Sequence, residues 1–318
     1  MSLDKAIKIA EKNSLNANLF LLTDKEEAAG TGSAKELDHL ASVTKIYTAI
    51  CFLSLEDSKD LKLKDLASKY LPKEIKKLQA EDVTLLDLLT HTTGIHDYYQ
   101  HLALSKSSTE QDIANHPGWD FEQAVNLALS APRKKLKNNT AEYSFTNYLL
   151  LDKILESFGG FESVLNQRIL THMNLQQTFL LTNQTPELFA KASPLSFGKV
   201  FYKGFRRMAS LGAEGALIAS QRDVAFFMQG IFQDAVSKDT RSRLTQRVSK
   251  LRAGIRYGVG VMLLPKLISG RKETIGHFGA TGSAAFIDAE RLDVVALTTN
   301  QFQQKLLPSK LLRGLFQV

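Results

Sequence analysis

Ser42-Val43-Thr44-Lys45 runs straight into Ile46-Tyr47-Thr48-Ala49-Ile50-Cys51-Phe52-Leu53. The latter segment is apolar on nearly every side, the pattern of a helix buried at the centre of a domain. Residues i and i+3 of a helix share a face, so the Ser42 hydroxyl and the Lys45 amine can meet without any long-range requirement. A serine hydroxyl is a weak nucleophile near neutral pH and needs such a neighbour to take its proton. A lysine beside an apolar helix is also costly to bury unless hydrogen bonds or a function offset the cost. Two readings stand at this point: a nucleophile activated by Lys45, or a helix-capping serine with a lysine that reaches solvent.

Spacing alone does not decide between them, since a chain of this size should show about one S-x-x-K by chance. Besides Ser42/Lys45, the pattern occurs at Ser2/Lys5, at the chain terminus, at Ser196/Lys199, beside Gly198, and at Ser269/Lys272, in a Gly270-Arg271 turn. Only Ser42/Lys45 opens an apolar helix.

The chain has 318 residues, 44% hydrophobic and 23% charged, enough for a substantial core in one large domain or two lobes. No run of eighteen uncharged apolar residues occurs, so no transmembrane helix is expected. Met1 to Asn16 is charged and amphipathic, without the features of a secretory signal. The single cysteine, Cys51, lies in the apolar helix and reads as an inert buried thiol. Net charge is +7, with basic runs at 59–77, 133–137, 203–207 and 241–256. These are interspersed with acidic residues and lack an aromatic-studded basic strand, so they read as solvated surface rather than a nucleic-acid face.

In chain order, Asn18 to Thr23 and Ala28 to Gly32 read as strands, and a polar loop, Ser33 to His39, delivers the chain to Ser42. Val83 to Thr90 is a helix pattern ending at His91-Thr92-Thr93-Gly94. Residues 96–120 are polar and read as a surface excursion. Phe121 to Leu129 is amphipathic. Glu142-Tyr143-Ser144-Phe145 leads into an apolar helix that ends at Gly159-Gly160. Phe161 to Leu170 is helical and 173–199 irregular. Ser220 caps a helix over Val224 to Phe232, and Arg241 to Leu251 reads as a basic helix. Tyr257–Leu264, Glu273–Phe278, Ala284–Asp288 and Asp293–Thr298 form an antiparallel meander, closed by a helix over Leu306 to Phe316.

His91, His96, Asp97 and His101 invite a metal reading, but intervals of five do not put ligands on one helical face, so no metal or other cofactor is expected. G-x-S-x-G, Walker A and a strand-anchored G-x-G-x-x-G are absent. Tyr143, just before a helix, either braces its loop or faces a cleft. Gly276-His277-Phe278-Gly279-Ala280-Thr281-Gly282 lies on a late strand and its following turn.

Taken together, Ser42/Lys45, the leucine-rich Leu85 to Ile95 segment, Tyr143-Ser144 with Tyr148-Leu149-Leu150, Glu214 to Phe227 and His277-Phe278-Gly279 resemble the serine penicillin-recognising group. The similarity is to the branch that holds class C β-lactamases, D-alanyl-D-alanine carboxypeptidases and related esterases, and it spans Leu40 to Asn300. It implies a β-lactamase/transpeptidase-like α/β (α+β) fold. One lobe, residues 1–60 and 200–318, would carry an antiparallel sheet flanked by helices; a mainly helical lobe, 61–199, would face it across a cleft. It further implies that Ser42 forms an acyl-enzyme while Lys45 and Tyr143 share the work of taking and returning its proton: Tyr143 is a usable base where a cation such as Lys45 favours its phenolate, and the sequence leaves open which of the two carries the proton. The amides of Ser42 and Ala280 would form an oxyanion hole, His277 would flank the substrate, and Gly279 would let it approach the backbone.

One departure from the family pattern stands out. The asparagine of its Tyr-x-Asn segment is Phe145 here, which removes roughly 1 to 3 kcal/mol of oriented hydrogen bonding if nothing replaces it. Asn147 is a poor substitute, since two helical residues turn its side chain about 200° away. Phe145 makes that wall apolar, so the expected activity is a serine hydrolase acting on an ester- or amide-type acyl substrate. The alternatives are a β-lactamase or D-alanyl carboxypeptidase-like enzyme on a peptide-like, cell-wall-derived substrate, and a non-catalytic binder of the same fold. Relatives act mostly outside the cytoplasm, although this sequence shows no export signal.

Overall fold

A computed structural model describes residues 8, 12, 17–23, 27–29, 36–71, 77–78, 80–100, 118–197, 200–202, 206–233, 235–252, 254–269, 273–302, 309 and 312. Most of the first and last expected helices, and His101, lie outside these residues.

In chain order come β1 (Asn18–Leu22), β2 (Glu27–Ala29), β3 (Asp38–His39), a 3-10 turn (Ala41–Val43) and α1 (Thr44–Asp57). They are followed by α2 (Leu85–Leu89), α3 (Phe121–Ala128), α4 (Phe145–Leu155) and α5 (Phe161–Leu165), which continues into a π turn (Asn166–Leu170). Next are β4 (Thr178–Leu180), α6 (Pro186–Lys191), β5 (Leu195–Phe197), β6 (Val200–Tyr202), a 3-10 segment (Arg206–Glu214) broken at Gly212, β7 (Leu217–Ala219) and α7 (Gln221–Phe232). Last come α8 (Lys238–Arg243), β8 (Ser249–Arg252), β9 (Ile255–Tyr257), β10 (Met262–Pro265), α9 (Lys266–Ser269), β11 (Glu273–Phe278), β12 (Ala284–Asp288) and β13 (Asp293–Thr298).

The organising layer is an eight-stranded sheet in the order β2-β1-β13-β12-β11-β10-β9-β8, antiparallel throughout. Pairing of Asn18 with Thr298 in β1 and β13 ties the two ends of the chain together. The strands are apolar at both phases because both faces are covered. Phe20 and Leu22 share one core with Val224, Phe227 and Ile231 of α7. Leu19 and Leu21 share the opposite core with Val295, Leu297 and Leu312. A small sheet, β3-β7-β4, sits beside the start of α1. The fold is thus a mixture of helices and antiparallel sheet, as expected, and no helix among the described residues is long and apolar enough to cross a membrane.

Every residue of α1 from Thr44 to Leu53 is buried, which explains its lack of a polar stripe. Tyr47 stacks on Phe227 with centroids 3.6 Å apart, joining α1 to α7. At Gly260 the sheet side comes close to this helix: a Cβ there would lie 2.3 Å from Ala49 Cβ and 2.9 Å from the Lys45 carbonyl oxygen.

Several expectations are corrected. The basic helix over 241–251 is instead the end of α8 and the edge strand β8. Its Lys and Arg residues mask the two-residue alternation, and charge is what an edge strand carries to avoid pairing with other chains. The strand 257–264 is two strands, because Gly258 to Gly260 turn against α1. The irregular 173–199 holds β4, α6 and β5, elements too short to show periodicity. Residues 96–100 are not a surface excursion: Tyr98 is buried and its hydroxyl is hydrogen-bonded inside the protein.

Candidate active site

Ser42 sits in the 3-10 turn rather than in the helix proper, which begins at Thr44. Ala41, just before it, has φ +45°, a left-handed conformation that costs an alanine about 1–2 kcal/mol. The surroundings hold it there. Leu40 N–H donates to the Leu217 carbonyl at 2.9 Å. The hydroxyls of Thr281 and Ser283 donate to the carbonyls of His39 and Leu40, both at 2.7 Å. Gly279 packs so closely that a Cβ would come within 2.5 Å of the Leu40 oxygen. The end of β11 and its following turn therefore lie against the turn that carries Ser42, and Ala280 is exposed there.

Lys45 is wholly buried, which excludes the reading in which it reaches solvent. Its Nζ lies 3.5 Å from Ser42 Oγ and donates to the Glu214 carbonyl oxygen at 2.6 Å. Three rings surround it: Phe145 at 4.2 Å, Tyr148 at 5.0 Å and Tyr143 at 5.3 Å from their centroids. Burial pushes the amine down to about 7, against the opposing pull of the Glu214 and Asp97 carboxylates. At neutral pH a free amine is therefore available beside the serine, which an ordinary lysine near 10.5 would not offer.

Tyr143 is half-buried, and its hydroxyl makes no hydrogen bond of good geometry. Burial raises its pKa well above the usual phenol range, with only the neighbouring Ser42 hydroxyl working the other way. Of the two forms left open by the sequence, burial favours the phenol at Tyr143. Phe145 stands where the asparagine was missed, over the amine and stacked on Tyr99 at 4.2 Å. Asn147 does not replace that amide. It accepts from Thr93 Oγ1 at 2.7 Å and donates to His91 Nδ1 at 3.0 Å, away from Lys45.

His91 belongs to this site as a bracket. Its Nδ1 also accepts from the Ser144 N–H at 3.3 Å, which puts the ring proton on Nε2. Its carbonyl accepts from Glu142 N–H at 2.9 Å, and its ring packs on Tyr143 at 4.4 Å. His277 is fully buried. Its Nδ1 donates to the Phe278 carbonyl at 2.6 Å, so Nε2 accepts from the Tyr257 hydroxyl at 3.1 Å. Burial lowers its pKa to about 3, keeping it neutral.

Three residues missed by sequence reasoning complete the surroundings. Asp97 Oδ1 accepts the N–H groups of Phe145 at 3.0 Å and Tyr99 at 3.1 Å, and burial raises this carboxyl to about 6. The Tyr98 hydroxyl meets both oxygens of buried Glu214 at 3.1 and 3.0 Å. The available signal was the tyrosine pair directly after Asp97, aromatic residues in a stretch otherwise polar enough to pass for surface. Among the described residues no cluster of three or more His, Cys, Asp or Glu side chains could hold a metal.

Fold and site together define a serine hydrolase built on antiparallel sheet and helices. The Beta-lactamase family matches residues 23–313, and the chain belongs to that family. Among solved structures it is similar to the D-stereospecific amidohydrolase from Streptomyces sp., at 20% identity over 96% of each chain with a TM-score of 0.80. It is similar to the D-amino acid amidase from Ochrobactrum anthropi SV3, at 18% identity over 99% of this chain and 97% of that one, TM-score 0.80. The penicillin binding protein from Bacillus halodurans matches at 16% identity over 99% of each chain, TM-score 0.77.

Proposed function

We propose that Ser42 attacks the carbonyl carbon of a small amide or ester and forms an acyl-enzyme that water then hydrolyses. The substrate enters a cleft between an α/β lobe, residues 1–60 and 200–318, and a mainly helical lobe, 61–199. Lys45, as the free amine, takes the Ser42 proton. Tyr143, a phenol, passes its own proton to the departing amine or alcohol and is reprotonated from Lys45. The amides of Ser42 and Ala280 receive the developing oxyanion. Gly279 admits the acyl chain to the strand edge, with His277 behind it, and Phe145 supplies an apolar wall.

The observation that carries this reading is a fully buried lysine 3.5 Å from a serine hydroxyl, with burial bringing its amine to about 7. Similarity to two enzymes named for D-amino acid amides and D-stereospecific amides supports an amino-acid-type acyl group. The test is intact mass and turnover with a p-nitrophenyl ester, a D-amino acid amide and a fluorescent penicillin, comparing the parent with Ser42→Ala. Acylation or turnover lost in Ser42→Ala is expected with the first two reagents; reaction with none of them in a Ser42-dependent way sinks the reading.

A second reading, lactam or cell-wall peptide chemistry, is favoured by the similarity to a penicillin binding protein. Phe145 weighs against it, since no side-chain amide stands there to orient a peptide-like substrate.

A further inference from the structure

Two of the basic runs that look scattered along the chain meet in space. Residues 133–137 and Arg247 line one cavity of about 750 Å³, where Arg133, Lys134, Lys135, Lys137 and Arg247 are accompanied by a single acid, Asp82. The volume falls in the range of small-molecule sites, roughly 300–1,000 Å³. The cavity is separate from the Ser42 centre: the described residues that line it include none of Ser42, Lys45, Tyr143 and Phe145.

Main-chain bonds fix the basic loop at both ends. Lys134 N–H donates to the Gly94 carbonyl at 2.9 Å, and Gly94 packs so tightly that a Cβ would come within 2.0 Å of the Lys134 oxygen. At the other end Lys250 N–H donates to the Asn139 carbonyl at 2.8 Å and Ala141 N–H to the Lys250 carbonyl at 2.9 Å, which adds the loop to the edge of β8. The Thr140 hydroxyl donates to the Lys137 carbonyl at 2.6 Å. Lys135 and Lys137 therefore project from a backbone that is already held.

Three of the five cations are matched: Arg133 with Asp82, Lys134 with Glu142, and Arg247 with Asp87 at 2.8 Å. Arg133 Nε also donates to the Thr93 carbonyl at 2.7 Å. Lys135 and Lys137, both exposed, pair with no carboxylate among the described residues, and the side-chain amides of Asn138 and Asn139 are likewise uncommitted. Two unmatched cations in a concave site repel each other and draw in an anion, because the low-dielectric walls concentrate their field. The free donors are ammoniums and amides, since both guanidinium groups are engaged with acids. An ammonium is a point charge that suits a phosphate, whereas a planar carboxylate is recognised best by a guanidinium fork. No aromatic ring is among the described lining residues, so nothing there would stack a nucleobase.

We propose that this cavity is a second binding site, for a phosphate-bearing ligand with at least two negative charges, held by Lys135 and Lys137. Asn138 and Asn139 donate to the remaining phosphate oxygens. The site stands independently of the hydrolase reading. The test is calorimetry of inorganic pyrophosphate with the full chain at low ionic strength, repeated with Lys135→Gln, Lys137→Gln and the double variant. Both lysines are exposed, so the exchanges leave the core untouched. Each ammonium supplies a charge-assisted bond, and affinity is expected to fall about tenfold for each lysine removed. A parallel arm sediments the same proteins with phosphatidylcholine vesicles, with and without phosphatidylglycerol. Saturable pyrophosphate binding that the double variant loses supports the site with a soluble ligand. Binding confined to the phosphatidylglycerol vesicles, and lost with the same exchanges, supports it with headgroup phosphates as the occupant. Binding in neither arm, an affinity that the double variant keeps, or equal binding of tricarballylate, a carboxylate of similar charge, overturns the proposal.

Discussion

Two buried polar centres, Asp38 before the turn that carries Ser42 and Lys45 after it, are treated in opposite ways. Asp38, in β3, is saturated: Asn18 donates to both oxygens at 2.9 Å, Asn300 to one at 2.9 Å and Gln221 to the other at 3.0 Å. All of these donors are neutral amides from β1, α7 and the end of β13, so the network clamps together three elements that are distant in sequence. Around Lys45 the polar groups are left open. Among the described residues the Tyr143 hydroxyl and His91 Nε2 have no hydrogen-bond partner, and Lys45, bonded to the Glu214 carbonyl and close to the Ser42 hydroxyl, is otherwise faced by rings. A closed network holds a shape, whereas an open one keeps its groups free to exchange protons with a guest.

The sharpest way to break the contrast is to remove the ionisable group from each centre. Lys45→Met should cut turnover about a thousandfold, the scale of a lost general base, while leaving the melting temperature level or raised, since an apolar side chain fits a ring-lined site. The same variant should change the pH dependence of stability. Folding lowers the Lys45 pKa, so between about 7 and the ordinary value of 10.5 the folded chain binds fewer protons than the unfolded one and stability rises with pH. Urea titrations at pH 7 and 9 should show that rise in the parent and a smaller one in Lys45→Met.

Asp38→Ala should do the reverse. It strands buried amides and should cost about 3 kcal/mol or more by denaturant titration, with activity per folded molecule little changed. The smallest effect is expected at the apolar wall. Phe145→Asn restores an amide beside Lys45 and should raise labelling by a fluorescent penicillin about tenfold, the equivalent of one oriented hydrogen bond. No gain there would show that more than this side chain sets the preference of the site.

Ser42 with Lys45 was legible because the pair is local, three residues apart on one turn. Tyr143 and 277–279 were legible only through a family pattern, since nothing in their own stretches sets them beside a serine. Glu214 and Tyr98 escaped notice because they lie 116 residues apart and each has a bland local explanation. Burial of Asp97 was hidden for a related reason: a polar stretch looks like surface until its partners, here two backbone amides, are known. The sheet was legible from β11 to β13, where apolar runs and short turns are regular. It was lost at β8, where edge charges imitate a helix.

The left-handed turn at Ala41 has a consequence for the order in which the protein is made. The hydroxyls that hold it come from Thr281 and Ser283, 242 and 243 residues downstream of their acceptors. A ribosome releases Ser42 and Lys45 well before those two hydroxyls, which follow more than two hundred residues later. Until they arrive, the nascent chain carries its reactive serine on a turn that lacks both of those restraints, so the hydrolytic centre is not complete until the segment after β11 has been made.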